Sequence, residues 1–384
     1  MERLRRLGRH VAMALLAIVS SGGCWDGTPV FGPSWDCESC GVNPRAWAAD
    51  TVPVHLLSTQ TFTDISLGPT TVCGTTSSQT IHCWGRLGDD TTIAPRHYTV
   101  SGTFRAPSVS LDFLCATRTS GGPQCWGSSH ALGLGVPGTL PPDAPVAVTG
   151  GDSLVSVVVS QTYLGPPFAC GLTASGEAHC WGADLAGALG RDSVGYSDPV
   201  PRPVAGGHRF RSLRLGWGHA CGIDLEGIAY CWGANHTGQL GDGTTDFRAV
   251  PTEVSGGHRW SFIAPGPLST CGVTTGGLTY CWGPTLFLRD TRSGFTLVLL
   301  ASLTTALGHV CGLTASGEAY CWGYNSYGEL GVGDRAGHDG LVAVETSQRF
   351  TKLVSTAYTT CGLSRDGGLW CWGLDVLRLK EAFP

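Results

Sequence analysis

Residues 170–182 read CGLTASGEAHCWG and residues 311–323 read CGLTASGEAYCWG, so the two segments differ only where His179 stands against Tyr320. Looser copies, with nine residues between a cysteine and a Cys-Trp-Gly triplet, begin at Cys73, Cys115, Cys221, Cys271 and Cys361. The chain therefore contains seven units. First cysteines recur every 40 to 55 residues, and such a period overrides the two or three domains that 384 residues would otherwise suggest, because stacked repeats share one continuous core.

In the unit at Cys311, Ala315-Ser316-Gly317 separates two strand-like runs. A three-residue hairpin loop is commonly a type I turn followed by a left-handed residue, a place that favours glycine because it has no Cβ to clash. Gly121, Gly176, Gly227, Gly277 and Gly367 stand where Gly317 does, and Gln79 replaces them in the first unit. This loop sets the two cysteines of a unit opposite one another in an antiparallel pair, with Cα atoms about 4.5 to 5.5 Å apart, within reach of a disulfide. The predicted bonds are Cys73 with Cys83, Cys115 with Cys125, Cys170 with Cys180, Cys221 with Cys231, Cys271 with Cys281, Cys311 with Cys321 and Cys361 with Cys371. Each would contribute about 2 to 3 kcal/mol through the chain entropy of the unfolded state. Zinc sites want close cysteine pairs or Cys/His sets, which seven separate hairpin pairs do not supply.

Alternation along the return strand puts Tyr320 and Trp322 on one face and Ala319 and Cys321 on the other. Both faces are apolar, so each small sheet must be covered twice, as happens when like sheets stack on either side. Upstream strand-like runs, such as Phe210 to Leu215, and Pro/Val segments, such as Pro203-Val204 and Pro251 to Val254, raise the count to about four strands per unit. The expected fold is all-β: a seven-bladed β-propeller of about four-stranded blades with a disulfide inside each blade. After Trp372 no further outer strand follows, whereas an unmatched Val52-Pro-Val-His-Leu56 precedes the first hairpin. That segment is predicted to complete the last blade and so to avoid an unpaired edge.

The first residues describe a secretory signal: Arg3, Arg5, Arg6 and Arg9 precede an apolar run from Val11 to Val19, then small residues. The run is shorter than the ~20 residues of a spanning helix. Ser21-Gly-Gly before Cys24 resembles the lipobox of bacterial lipoproteins, with Ser21 where that pattern usually has Leu, and makes Cys24 the expected lipidation site. Residues 1–23 are thus read as signal, 24–50 as a tether and 51–384 as the propeller. Of the 17 cysteines, fourteen pair within repeats, Cys37 and Cys40 form a local disulfide in the tether, and Cys24 is left for the lipid. An even, regularly spaced set in an exported chain is a disulfide framework. The expected location is a bacterial outer membrane or cell surface, or the medium.

Residues 213–254, LRLGWGHACGIDLEGIAYCWGANHTGQLGDGTTDFRAVPTEV, resemble the repeat of the regulator of chromosome condensation family, whose fold is a seven-bladed propeller. Residues 307–334, LGHVCGLTASGEAYCWGYNSYGELGVGD, match nearly as well. The resemblance runs from about Val52 onward. The fifth unit, CWGPTLFLRDTRSGF, lacks the Gly-Gln-Leu-Gly element, and the first, CWGRLGDDTTIAPRHY, is shortened. Members that exchange guanine nucleotides act in the nucleus, which the signal argues against here. Secreted bacterial propellers of this fold that inhibit β-lactamase offer a nearer likeness, since they only grip another protein.

Motifs that carry chemistry are few. A net charge of -5 offers no basic field for nucleic acid. No nucleophile elbow, zinc helix or P-loop occurs, and Gly133-Leu-Gly135 lacks the helix that phosphate binding needs. His219 and His309, two residues before a repeat cysteine, read as structural. Asp242 and Asp246 read as a polar turn rather than a calcium site. The Cys-Trp-Gly tryptophans read as inter-blade core rather than a light sensor. The sequence therefore points to a non-catalytic, cofactor-free, metal-free monomer that binds a protein or another cell-surface macromolecule and meets the membrane only through its lipid. A propeller enzyme with a central-channel site and a purely structural envelope or adhesion module are the alternatives. Recognition is expected on one rim, in the loops 128–143, 183–197 and 284–294, where Leu132, Leu134, Tyr196, Phe287 and Arg289 are the candidate contacts.

Overall fold

The hairpin predicted around each cysteine pair is the repeating element of the fold. The computed structural model describes residues 49–56, 60–69, 71–85, 96–100, 102–110, 113–127, 145–161, 167–195, 197–284 and 298–374. In the fourth unit His219–Asp224 pairs with Ala229–Gly233 so that Cys221 faces Cys231, and the same register recurs in all seven units. All seven predicted disulfides are present, with Cα separations of 4.0 to 4.1 Å. Such closeness places each cystine at a narrow, non-hydrogen-bonded pair of the ladder. At the turn, Gly176, Gly227, Gly277, Gly317 and Gly367 have φ between 81° and 87°, and Gln79 takes the same left-handed backbone at 64°.

Seven antiparallel sheets follow one another in chain order, six of four strands and one, in the fifth unit, of three among the described residues. Their inner strands are Phe62–Leu67, Phe104–Val109, Leu154–Val159, Phe210–Leu215, Trp260–Pro265, Leu300–Thr305 and Phe350–Ser355, numbered here as blades 1 to 7. Each inner strand neighbours those before and after it around a central channel, and the first contacts the last. Ring closure follows the unmatched N-terminal segment. Ala49–His55 pairs antiparallel with Leu369–Leu374, so blade 7 takes its outer strand from the other end of the propeller. Leu56 continues that junction, donating its amide to the Leu369 carbonyl at 2.9 Å.

The cores lie between blades. Leu56, Phe62, Ile65 and Trp84 pack on Leu363, Leu369 and the Cys361–Cys371 pair, which joins blade 1 to blade 7. The tryptophan of each Cys-Trp-Gly triplet is buried apart from Trp282, which is partly so. Three of them also carry a specific bond to the blade before: Trp232 Nε1 donates to the Ala188 carbonyl (3.0 Å), Trp282 to Gln239 (2.9 Å) and Trp372 to Glu329 (2.9 Å). The acceptors sit in the Gly-x-Leu-Gly element of the preceding loop. Gly241 there has φ of 71°, and a Cβ on it would lie 2.6 Å from the Trp282 indole nitrogen, so only glycine fits.

Candidate protein-binding face

Strand alternation assigns the connections to faces. An inner strand runs toward the end of the ring called upper here, turns, and descends as the second strand. The third strand rises again, so its loop to the outer strand returns to the upper face. The turns after the inner strands and the described loops after the third strands of blades 3, 4 and 6 therefore share one side, whereas the predicted recognition segments 128–143 and 285–294 lie outside the described residues. Seven equivalent backbone bonds close the turns, among them Gly68 to Thr71 (2.7 Å), Gly216 to His219 (2.9 Å) and Thr356 to Thr359 (2.9 Å).

The long loops of blades 3, 4 and 6 are knotted by one side chain each. Asn235 donates from Nδ2 to Asp242 Oδ1 (3.1 Å) and to the Thr244 and Asp246 carbonyls (3.1 and 2.9 Å), while its Oδ1 accepts the Leu240 amide (2.9 Å). Asn325 does the same with Asp334 and Leu330, and Asp184 accepts the Leu189 amide. Burial raises the Asp184 pKa despite that bond. Asp242, considered above for calcium, spends its oxygens on Arg248 (2.6 Å), Thr244 and Asn235. Burial opposes its charge, yet the Thr244 and Arg248 bonds hold its pKa below the usual carboxylate range. Among the described residues no group of three His, Cys, Asp or Glu lies close enough to hold a metal ion.

Large apolar side chains are exposed unevenly. Leu185 and Val194 in the blade 3 loop, Phe247 in the blade 4 loop, Tyr324 in the blade 6 loop and Tyr358 in the blade 7 turn are all exposed on the upper face. Leu225 and Leu299, by contrast, lie near the lower hairpins and Val155 low on an inner strand. Tyr327 meets Tyr358 edge to face with ring centres 5.2 Å apart. Burial raises the pKa of Tyr324 and Tyr358, the latter further raised by Tyr327 and Glu329, so both phenols stay neutral donors.

Two buried histidines fasten the upper turns to the next blade. Thr270 donates to the Gln239 carbonyl (2.8 Å), leaving His219 Nε2 to donate to the Thr270 oxygen (2.9 Å). His309 and Thr360 repeat this against Glu329, at 2.8 and 3.1 Å. Burial pushes both imidazoles down to about 3, so they are neutral. At the centre of this face Gln161, Trp217, Pro267, Thr305, Ser355 and Thr356 line the mouth of the channel, an opening of about 260 Å³ including the solvent at its entrance.

Of the residues predicted to touch a partner, Leu132, Leu134, Tyr196, Phe287 and Arg289 all lie outside the described residues, as do Cys24, Cys37 and Cys40. The tyrosines of blades 6 and 7 and Phe247 were missed by sequence reasoning. Their signal was present only as the aromatic position after a Cys-Trp-Gly triplet at Tyr324 and as an isolated Tyr in the turn at Tyr358.

Residues 210–239 and 307–329 match one model of the regulator of chromosome condensation (RCC1) repeat, and residues 226–271 match another. Residues 210–271 and 307–329 carry RCC1 repeats. Human E3 ubiquitin-protein ligase HERC2 is 34% identical over 125 residues, which is 32% of this chain but 2% of HERC2. RUG3, a mitochondrial RCC1 domain-containing protein of Arabidopsis thaliana, is 33% identical over 141 residues, 35% of this chain and 32% of RUG3. The RCC1-repeat propeller thus aligns with about a third or less of these relatives' length. Among solved structures, human WBSCR16 superposes with a TM-score of 0.68 at 17% identity, covering 84% of this chain and 89% of WBSCR16. At that identity the likeness is one of fold.

Proposed function

We propose that this RCC1-repeat propeller is an exported, lipid-anchored scaffold that binds another protein through its upper face and performs no reaction. The observation that carries the reading is the gathering of Leu185, Val194, Phe247, Tyr324 and Tyr358 on the face where the knotted loops and turns meet. Exposed aromatic residues on rigid supports are what protein interfaces use as anchors. Yeast Prp20p, a propeller of the same fold, is described by its binding to Gsp1p and histones, which supports protein binding as a use of this architecture. Seven cystines suit an oxidising compartment, in keeping with the basic and apolar leader and with Cys24 as the anchor.

Crosslinking on intact cells, followed by identification of the captured protein, tests this reading. The double variant Tyr324→Ala, Tyr358→Ala should lose capture by tenfold or more, on the order of 1.4 kcal/mol or above, with its melting temperature nearly unchanged. Undiminished capture would move the interface elsewhere, and recovery of the chain from the cytosol with free thiols would remove the exported scaffold altogether.

A further inference from the structure

Blade 1 carries two histidines head to head. His82 stands on Ile81–Gly85 and His97 on the neighbouring outer strand Arg96–Val100, where it faces Trp84 across the ladder. Nδ1 of His82 lies 3.1 Å from Nε2 of His97, and the ring planes are 7° apart. The ring centres are 5.3 Å apart, which is that nitrogen separation plus one imidazole radius at each end. The two rings are therefore coplanar, with the nitrogens aimed straight at each other. Behind them lies the Trp84 indole, its ring centre 5.1 Å from that of His97 and 6.1 Å from that of His82. His82 is buried, whereas His97 is exposed. Thr99 Oγ1 also lies 3.3 Å from His82 Nδ1. Both contacts are made when that nitrogen accepts, which assigns the His82 ring proton to Nε2 and makes His97 Nε2–H the donor. Burial, and after it the neighbouring His97, hold the His82 pKa below its usual value, so the lone pair stays available. The blade does not require an imidazole here, since the same place holds Tyr230, Tyr280, Tyr320 and Trp370 in blades 4 to 7.

The hydrogen between two such nitrogens occupies the position that a two-coordinate metal ion takes. We propose that His82 Nδ1 and His97 Nε2 bind one monovalent d10 ion of the copper(I) and silver(I) class. Imidazole is a good ligand for copper, and ions of this class accept two donors on a straight line. Zinc asks for four ligands in a tetrahedron, and among the described residues no third His, Cys, Asp or Glu joins the pair. Nitrogen–metal bonds of about 2.0 Å on a straight line set the nitrogens about 4 Å apart, so the exposed His97 ring recedes by about 1 Å. Entry of the ion breaks the His97 Nε2–H bond. The proton passes through solvent to Nδ1 of the same ring, two nitrogen–metal bonds form, and no electron is transferred.

Silver nitrate is the probe, because silver(I) stays monovalent in air, and chloride is left out of the buffer. The full chain, with free thiols alkylated beforehand, is equilibrated with silver(I) and the bound ion is counted by mass spectrometry. Wild type should hold one ion more per chain than either His82→Gln or His97→Gln. It should also gain about 2 °C in melting temperature at ten times the dissociation constant, a gain that neither variant shows. Equal silver content in wild type and both variants overturns the site. Zinc sulfate binding to the pair more tightly than silver overturns the class of ion. Should His82→Gln fail to fold, silver(I) protection of His97 from diethyl pyrocarbonate in wild type decides the same question, supporting the site if present and overturning it if absent. The pair belongs to blade 1 and the exposed tyrosines to blades 6 and 7, so failure here leaves the protein-binding reading standing.

Discussion

Leu56 holds both ends of the ring. It is fully buried, and its neighbours come from blade 1 (Phe62, Ile65, Trp84) and blade 7 (Leu363, Leu369). Leu56→Ala keeps the backbone bond to Leu369 but leaves a cavity between two blades that the cystine at Cys361 prevents from collapsing. Truncations of this kind cost about 2 to 5 kcal/mol, and a site so constrained belongs in the middle of that range or above. An unfolding entropy of about 2.1 cal/mol/K per residue over the propeller converts each kcal/mol to roughly 1.5 °C, so the variant should melt about 4 to 7 °C lower. Calorimetry under oxidising conditions measures the shift, and limited proteolysis reports where it acts. New cleavage should appear in both the first and the last repeat. Deleting residues 51–57 should do the same more severely, since it also removes the outer strand of blade 7. A shift below ~1 °C, within the range of ordinary surface substitutions, would refute closure by this strand, as would cleavage confined to the first repeat.

Other expectations follow from single positions. Gln79→Gly relieves a left-handed backbone at an exposed turn and should stabilise by about 0.5 to 1 kcal/mol, read by urea denaturation; a loss would show that Gln79 is not strained. His219 and His309 have folded pKa values depressed to about 3, so the unfolded chain takes up protons that the folded one refuses. Their stabilisation is full above about pH 6.5 and is lost as pH falls, at about 1.4 kcal/mol per pH unit for each. His309→Gln should make the acid limb of the stability profile shallower by that slope; an unchanged slope would refute the neutral assignment. Burial raises the Glu329 pKa, so its penalty appears once pH exceeds the unfolded carboxylate value. Glu329→Gln, which copies Gln239 at the same place in blade 4, should raise the melting temperature at pH 7, with the gain vanishing below about pH 4.

The hairpins and the closing strand were legible because each is written in local terms. A left-handed turn position, cysteines placed to face one another, and an unmatched Val52 to Leu56 all speak through neighbours in sequence. The inner strands were less legible, because a bulge after their first residue breaks the period of two. Phe210 and Leu213, three apart, are both buried, and Ser212 pairs out of step with Phe210. Strict alternation from Phe210 would have assigned the exposed Arg214 to the same buried face as Phe210. The pairing of Asp64 with Lys352 depends on ring closure over nearly three hundred residues, and no local pattern records it. The exposed side chains of the upper face were not legible. Tyr324, Phe247 and Tyr358 come from three different kinds of connection, and only the blade topology brings those connections to one side.

The central claim is that seven repeats are each closed by their own cystine in a compartment that oxidises them. Non-reducing peptide mapping of the chain isolated from its native cells, with free thiols alkylated before lysis, addresses it directly. The account predicts seven linkages between cysteines ten positions apart, from Cys73–Cys83 to Cys361–Cys371, and no alkylated cysteine among those fourteen. Bonds joining cysteines of different repeats, or alkylation across the set, would contradict both the blade geometry and the proposed export.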